Sequence, residues 1–281
     1  MSGARFSLHL GCGLDYLESL PRHGVHAIVT DPPYGWREYV RGQTGTASGA
    51  WRQPPVLDGC KRAPMPRFSD LSAADLTALA AVMQRFARAA YRVLPPGGHV
   101  LLASTPLLQH IPADALASAG FERRGCVQRL VSTLRGGDRP KGAEAEFPGV
   151  CCLPRGRFEP WVLARKPLEG TVATTLRKYG TGALRRTEEG LPFEDVIGGA
   201  LFPTTRERAL ARHPSLKPQG FMRPVVRAML PLGKGVVCDP FTGGGATLAA
   251  CERVGYDSLG AELDPVYHAM ALAAIVPLSR L

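Results

Sequence analysis

Apolar residues along this chain fall into short continuous runs, divided by Gly- and Pro-rich breaks and by stretches with a helical period. Phe6 to Leu10 alternates and predicts a short strand, turned by Gly11-Cys12-Gly13. Apolar residues at 14, 17 and 20 predict one or two helical turns closed by Pro21. Val25 to Thr30 reads as a strand buried on both faces. Ser72-Ala73-Ala74-Asp75 is a capping arrangement for an Ala-rich helix that runs to Val93, with Leu76, Leu79, Val82, Met83, Phe86 and Ala90 on one face. Pro95-Pro96-Gly97-Gly98 ends it; His99 to Ser104 is a strand and Leu107 to Ala119 a second helix.

Phe121 to Thr133 predicts an edge-type strand with interleaved charges, and Phe158 to Ala164 predicts another. From Lys166 to Arg212 the chain is polar, basic and weakly periodic, and no element is predicted there. Gln219 to Leu230 is an amphipathic helix with Phe221, Val225, Val226 and Met229 as its stripe. Val236 to Asp239 is a buried strand, Thr247 to Val254 a helix, Ser258 to Glu262 a strand and Pro265 to Ile275 a closing helix. Strands alternating with helices predict an α/β protein with a parallel sheet.

Composition narrows the class. The 281 residues, 45% hydrophobic and 21% charged, suit a globular protein with a sizeable core. A net charge of +10 suits a polyanionic partner, nucleic acid before acidic membrane. Residues 121–217 hold 18 Lys/Arg against 11 Asp/Glu, so most of that surplus is concentrated in one segment. The seven cysteines form no Cys-x-x-Cys pair, which argues against a zinc ribbon or disulfide framework. No metal site is expected. With no apolar signal core and no membrane-length run, a cytoplasmic location is expected. Residues 35–70 show no periodicity and are rich in Gly, Pro and Arg, with Trp36 and Trp51; a mobile lid is the functional reading and a floppy insertion the bland one.

Two stretches carry candidate chemistry. Asp31-Pro32-Pro33-Tyr34 directly follows the buried run ending at Thr30. A carboxylate, two rigid prolines and an aromatic ring at a strand end could hold a flat, amine-bearing group, although Pro-Pro also simply terminates a strand. Asp239-Pro240-Phe241-Thr242-Gly243-Gly244-Gly245 follows a second buried strand, and Glu262 ends the next one, 19 residues after Gly243. A carboxylate there is placed for the hydroxyls of a ribose. The position three after Gly245 is Leu248 and Asp239 would repel phosphate, so a nucleoside carrying a positive centre fits better than a dinucleotide. S-adenosylmethionine is such a ligand.

In this order, the motifs resemble those of the β-type DNA amino-methyltransferases. The resemblance rests on Asp31-Pro32-Pro33-Tyr34, Leu94-Pro95-Pro96-Gly97-Gly98-His99, His213-Pro214-Ser215-Leu216-Lys217-Pro218, the Asp239–Gly245 loop and Gly260-Ala261-Glu262. Phe158-Glu159-Pro160, Ala164-Arg165-Lys166-Pro167 and Tyr179-Gly180-Thr181-Gly182 are also similar to bacterial and phage members. The resemblance implies a doubly wound, mostly parallel Rossmann-like class I methyltransferase sheet, circularly permuted. Residues 1–120 would be the catalytic half, 121–212 an inserted basic target-recognition region and 213–281 the S-adenosylmethionine-binding half.

Methyl transfer to the N6 amine of a flipped adenine in double-stranded DNA is the implied activity, with cytosine N4 as the first alternative. Asp31, Pro32, Pro33 and Tyr34 would be catalytic. Cys12, His213, Ser215, Lys217, Asp239, Phe241, Gly243, Gly245, Glu262 and Leu263 would border the cofactor. Arg135, Arg139 and Lys141, on a Gly- and Pro-rich loop, are the candidate DNA contacts, against a solvated surface as the bland reading. Members commonly carry Gly-Asp where this chain has Gly11-Cys12, and Gly-x-Gly-Thr-Thr where it has Gly243-Gly244-Gly245-Ala246-Thr247. These departures motivate a rival: a nucleic-acid-binding protein that kept the fold and lost turnover. An RNA-directed enzyme, a homodimer and a cognate restriction enzyme all stay open. The absence of a Pro-Cys dipeptide argues against carbon-5 cytosine methylation.

Overall fold

The computed structural model describes residues 5–34, 71–133, 140, 142–152 and 154–281. The expected lid at 35–70 and the candidate DNA contacts Arg135, Arg139 and Lys141 lie outside the described residues. Eight strands form one sheet: β1 (Phe6–Leu10), β2 (Ala27–Thr30), β3 (His99–Ala103), β4 (Glu122–Thr133), β5 (Gly156–Arg165), β6 (Val196–Ile197), β7 (Val236–Asp239) and β8 (Asp257–Glu262). Their spatial order is β1-β8-β7-β2-β3-β5-β4-β6. The five strands from β1 to β3 in that order are parallel, and β5 is antiparallel to both β3 and β4.

Eight helices are described: α1 (Gly13–Ser19), α2 (Ala73–Val93), α3 (His110–Ser118), α4 (Val172–Tyr179), α5 (Thr205–Leu210), α6 (Gln219–Met229), α7 (Ala246–Val254) and α8 (Pro265–Ser279). One buried cluster joins α1, α2 and α3 to the sheet through Leu17, Met83, Phe86, Val93 and Leu116. A second joins α6, α7 and α8 to it through Phe221, Val225, Leu248 and Ile275. Helices on both faces explain why β2 and β3 read as continuous apolar runs: all their residues are buried. Each large apolar side chain so buried contributes roughly 1.5–3 kcal/mol.

Local signals act where expected. The Ser72 hydroxyl accepts from the Asp75 amide at 3.2 Å, and the Asp75 carboxylate accepts from the Ser72 amide at 3.0 Å, completing the capping box of α2.

Two expectations change. The weakly periodic stretch 166–212 holds two short helices and a strand. Thr171 caps α4, which ends at Gly180 in the left-handed region (φ +70°). Thr204 and Glu207 form a reciprocal cap on α5, and Glu207 also accepts from the Gln219 amide at 2.6 Å, tying α5 to the start of α6. Helices of one or two turns show little periodicity, but their caps were present in the sequence. The second change is that β4 is not the outer strand, because β6 pairs parallel beyond it. The β3-α3-β4 crossover joins two parallel strands, with antiparallel β5 inserted between them. Among the described residues no helix is long and apolar enough to cross a membrane.

Candidate active site

The parallel strands share one carboxyl edge. From β7 the chain proceeds to β8 on one side, and from β2 to β3 on the other, so the connections diverge between β7 and β2. Divergence of this kind opens a crevice at the strand ends, the usual ligand position in open α/β sheets. Asp31 leaves β2 at this point and Asp239 ends β7. The Thr30 hydroxyl donates to Asp239 Oδ1 at 2.6 Å, so the two motifs, 209 positions apart in sequence, are locked together.

Asp31 sits in a partly buried cluster of alternating charge. The Tyr34 hydroxyl donates to Asp31 Oδ1 at 2.7 Å, and the Lys217 ammonium bonds Oδ2. Glu159 Oε2 lies 3.8 Å from the same ammonium. Glu159 is gripped by the Arg129 guanidinium (Nε at 2.9 Å, Nη2 at 3.1 Å) and by Trp161 Nε1 at 2.9 Å. Burial, aided by the nearby Glu159 charge and opposed by Lys217, raises the Asp31 pKa above the ordinary carboxylate value. Burial also opposes ionisation of Glu159, yet Lys217 and the Arg129 fork hold it down at about 2. Tyr34 is pushed well above 10 by burial and then by the Asp31 and Glu159 charges, so its hydroxyl stays a donor.

The second stretch forms the other wall. Gly243 takes φ +53°, and a Cβ there would meet His213 at 3.0 Å. A Cβ on Gly244 would meet the His213 Cβ at 2.8 Å, so the glycines let the His213–Lys217 segment lie on the loop. His213 contacts the Tyr267 ring edge-on at 4.5 Å and accepts from the Ser215 amide through Nδ1 at 3.2 Å. Burial and then the Lys217 charge push its pKa down to about 4, keeping it neutral. Glu262 Oε2 accepts from the Gly243 amide at 2.8 Å and Oε1 from the Asp264 amide at 2.9 Å. These backbone donors orient the carboxylate, whose two oxygens together can accept about four hydrogen bonds. Burial raises its pKa. Leu10 and Leu263 stand 50% and 37% exposed at this edge, an apolar rim beside the carboxylate. Cys12 N-caps α1 without a side-chain cap bond, and Phe241 lies partly buried against the α1–α3 cluster.

Other site candidates have internal work instead. Asp239 is 2% exposed, its Oδ1 held by Thr30 and the Phe241 amide at 3.0 Å, and burial raises its pKa to about 6. It shapes the loop from beneath. A Cβ on Gly245 would meet Ile275 at 2.8 Å, so that glycine serves the approach of α7 to α8. Within the basic segment, Arg129 pairs Glu159, Arg165 pairs Glu122, and Lys178 pairs Glu169, so these cations are engaged by the segment's own acids and its net surplus rests on other residues. No local sequence pattern marks Arg129 or Glu159 as a site residue. Phe158-Glu159-Pro160 was the only available signal for the pair, since nothing local joins residue 129 to 159 or either to 31.

Residues 171–273 match the family model described as DNA methylase. No curated protein matches the chain in sequence. Among solved structures, a protein named provisionally as a DNA modification methylase, from Thermus thermophilus, is 22% identical. It has a TM-score of 0.56, with 97% of this chain and 95% of that one covered; the same protein is also known complexed with S-adenosyl-L-methionine. The M1.HpyAVI–SAM complex is 16% identical, TM-score 0.55, covering 95% and 98%. PvuII DNA methyltransferase, cytosine-N4-specific, is 14% identical, TM-score 0.62, covering 98% and 91%. At these identities the likeness establishes a shared fold over nearly the whole chain.

Proposed function

We propose that this chain is an S-adenosylmethionine-dependent DNA methyltransferase that modifies the N6 amine of adenine. The observation that carries the reading is the meeting of two motifs at one crevice: Asp31-Pro32-Pro33-Tyr34 at the end of β2, and the glycine loop with Glu262 at the ends of β7 and β8. The match of residues 171–273 and the fold shared with DNA methyltransferases support it.

The crevice fits the cofactor by its chemistry. Glu262, oriented by backbone amides, would accept the ribose hydroxyls, and Leu10 and Leu263 offer an apolar rim for the adenine. Cys12 and Phe241 would complete the adenine side, His213 and Ser215 the methionine side. S-adenosylmethionine, when bound, supplies an electrophilic methyl group. The protein's own task is to aim a weak nucleophile. The Asp31 carboxylate and the Pro32 carbonyl would accept from the target amine, drawing its nitrogen towards tetrahedral geometry, while the Tyr34 ring faces the base. A paired base cannot reach this edge, so the nucleotide would be flipped from the duplex. The β4 and β5 strands belong to the sheet, and the segments of 121–212 outside them would supply the target-recognition surface.

Expression in a methylation-free host, followed by sequencing that reports modified bases, tests the reading. N6-methyladenine in a fixed context, lost on Asp31→Ala while cofactor binding persists, is the expected result. N4-methylcytosine would instead place the chain with the activity of the PvuII enzyme. Unmodified DNA together with no S-adenosylmethionine binding in equilibrium dialysis would overturn the proposal.

A further inference from the structure

Each Asp31 oxygen already holds a donor, Tyr34 on Oδ1 and Lys217 on Oδ2. Each oxygen keeps a further lone pair, but Lys217, whose side chain is only 8% exposed, draws the carboxylate's charge to itself, so Asp31 becomes a full-strength acceptor for an incoming amine only if the ammonium steps aside. Expelling that charge into the protein interior would be costly unless a carboxylate received it. Glu159 meets that need. Its Oε1 accepts from both Arg129 Nε and Trp161 Nε1, whereas among the described residues Oε2 accepts from Arg129 Nη2 and lies 3.8 Å from Lys217 Nζ. The fork and the indole hold Glu159 still, and Arg129 is itself anchored by donating through Nη1 to the Leu201 carbonyl at 3.2 Å. Two carboxylates and two cations make the cluster neutral, so moving Lys217 from one carboxylate to the other brings no net charge into it.

We propose that Glu159 is a positioning residue, a second seat that takes the Lys217 ammonium when the target amine occupies Asp31. This rests on Asp31 being the amine acceptor. Lys217 covers the Asp31 carboxylate in the free protein and uncovers it on base entry, with a displacement of about one ångström sufficing to bring 3.8 Å into hydrogen-bond range.

Two experiments test it. In a crystal structure of Asp31→Asn, Lys217 Nζ moves to within about 3.2 Å of Glu159 Oε2; an ammonium that stays beside residue 31 or turns to solvent overturns the proposal. In kinetics, Glu159→Gln keeps the side chain's size but removes the receiving charge. It lowers kcat by about 10- to 100-fold while the S-adenosylmethionine Kd and the DNA KM stay near wild type. Glu159→Asp, which retains the charge, recovers part of the loss. Equal kcat in Glu159→Gln, or a loss confined to KM, overturns the proposal. A wild-type protein that methylates no DNA defeats the reading of Asp31 instead, and the Lys217 position in Asp31→Asn still decides the second seat.

Discussion

Asp239 should make the protein less stable at neutral pH than in mild acid, and Asp239→Asn should remove that dependence. The carboxyl is 2% exposed and burial raises its pKa from 3.8 to about 6. A raised carboxylate pKa means that the folded state prefers the protonated form. The stabilisation is complete below the unfolded value and is lost as pH rises through 6. The whole gap of about two pH units corresponds to about 3 kcal/mol, of which about 1 kcal/mol falls between pH 5 and pH 7. Asn keeps an oxygen for the Thr30 hydroxyl and the Phe241 amide but does not titrate. Urea denaturation of both proteins at pH 5 and pH 7 isolates the effect, whatever the substitution costs at a single pH. The variant should gain about 1 kcal/mol on the wild type between the two pH values. A stability difference that stays constant, or that shifts in the opposite direction, would refute the assignment of a strained buried charge beneath the loop.

Glu262→Ala should weaken S-adenosylmethionine binding by about 10- to 100-fold, as expected for lost charge-assisted hydrogen bonds; an unchanged Kd by calorimetry would exclude it as the ribose ligand. Gly13→Ala should destabilise the fold by about 1–3 kcal/mol, because a Cβ there would lie 1.8 Å from the Pro240 carbonyl oxygen, which the loop after β7 cannot easily withdraw. Wild-type stability in that variant would show that the start of α1 and the loop after β7 are not in close approach. Duplex DNA binding should weaken by more than about ten-fold between 50 and 200 mM salt, and a flat response would remove the case for phosphate contacts.

The elements long enough to show a period were legible in the chain. The α2 helix announced itself by its stripe and its Ser72–Asp75 box, and β2, β3 and β7 by unbroken apolar runs. Both chemistry-bearing stretches were legible for the same reason: each sits where such a run stops. The elements between 166 and 212 were not, because helices of six and eight residues with few buried positions leave almost no periodic trace.

Which charges serve the site was also hidden. Composition gives the balance of Lys/Arg over Asp/Glu but not which cation meets which acid, whereas the fold pairs Arg129, Arg165 and Lys217 with Glu159, Glu122 and Asp31. The strand–helix alternation, the Asp31 turn and the glycine loop can be read along the chain, since each depends on residue types within a few positions of one another. That Asp239 supports the loop from below, that Lys217 covers Asp31 and that Glu159 stands beside both came from the folded arrangement. Those facts depend on strand order and on close packing across a sheet edge, where residues 31, 159 and 217 meet although no local pattern links them.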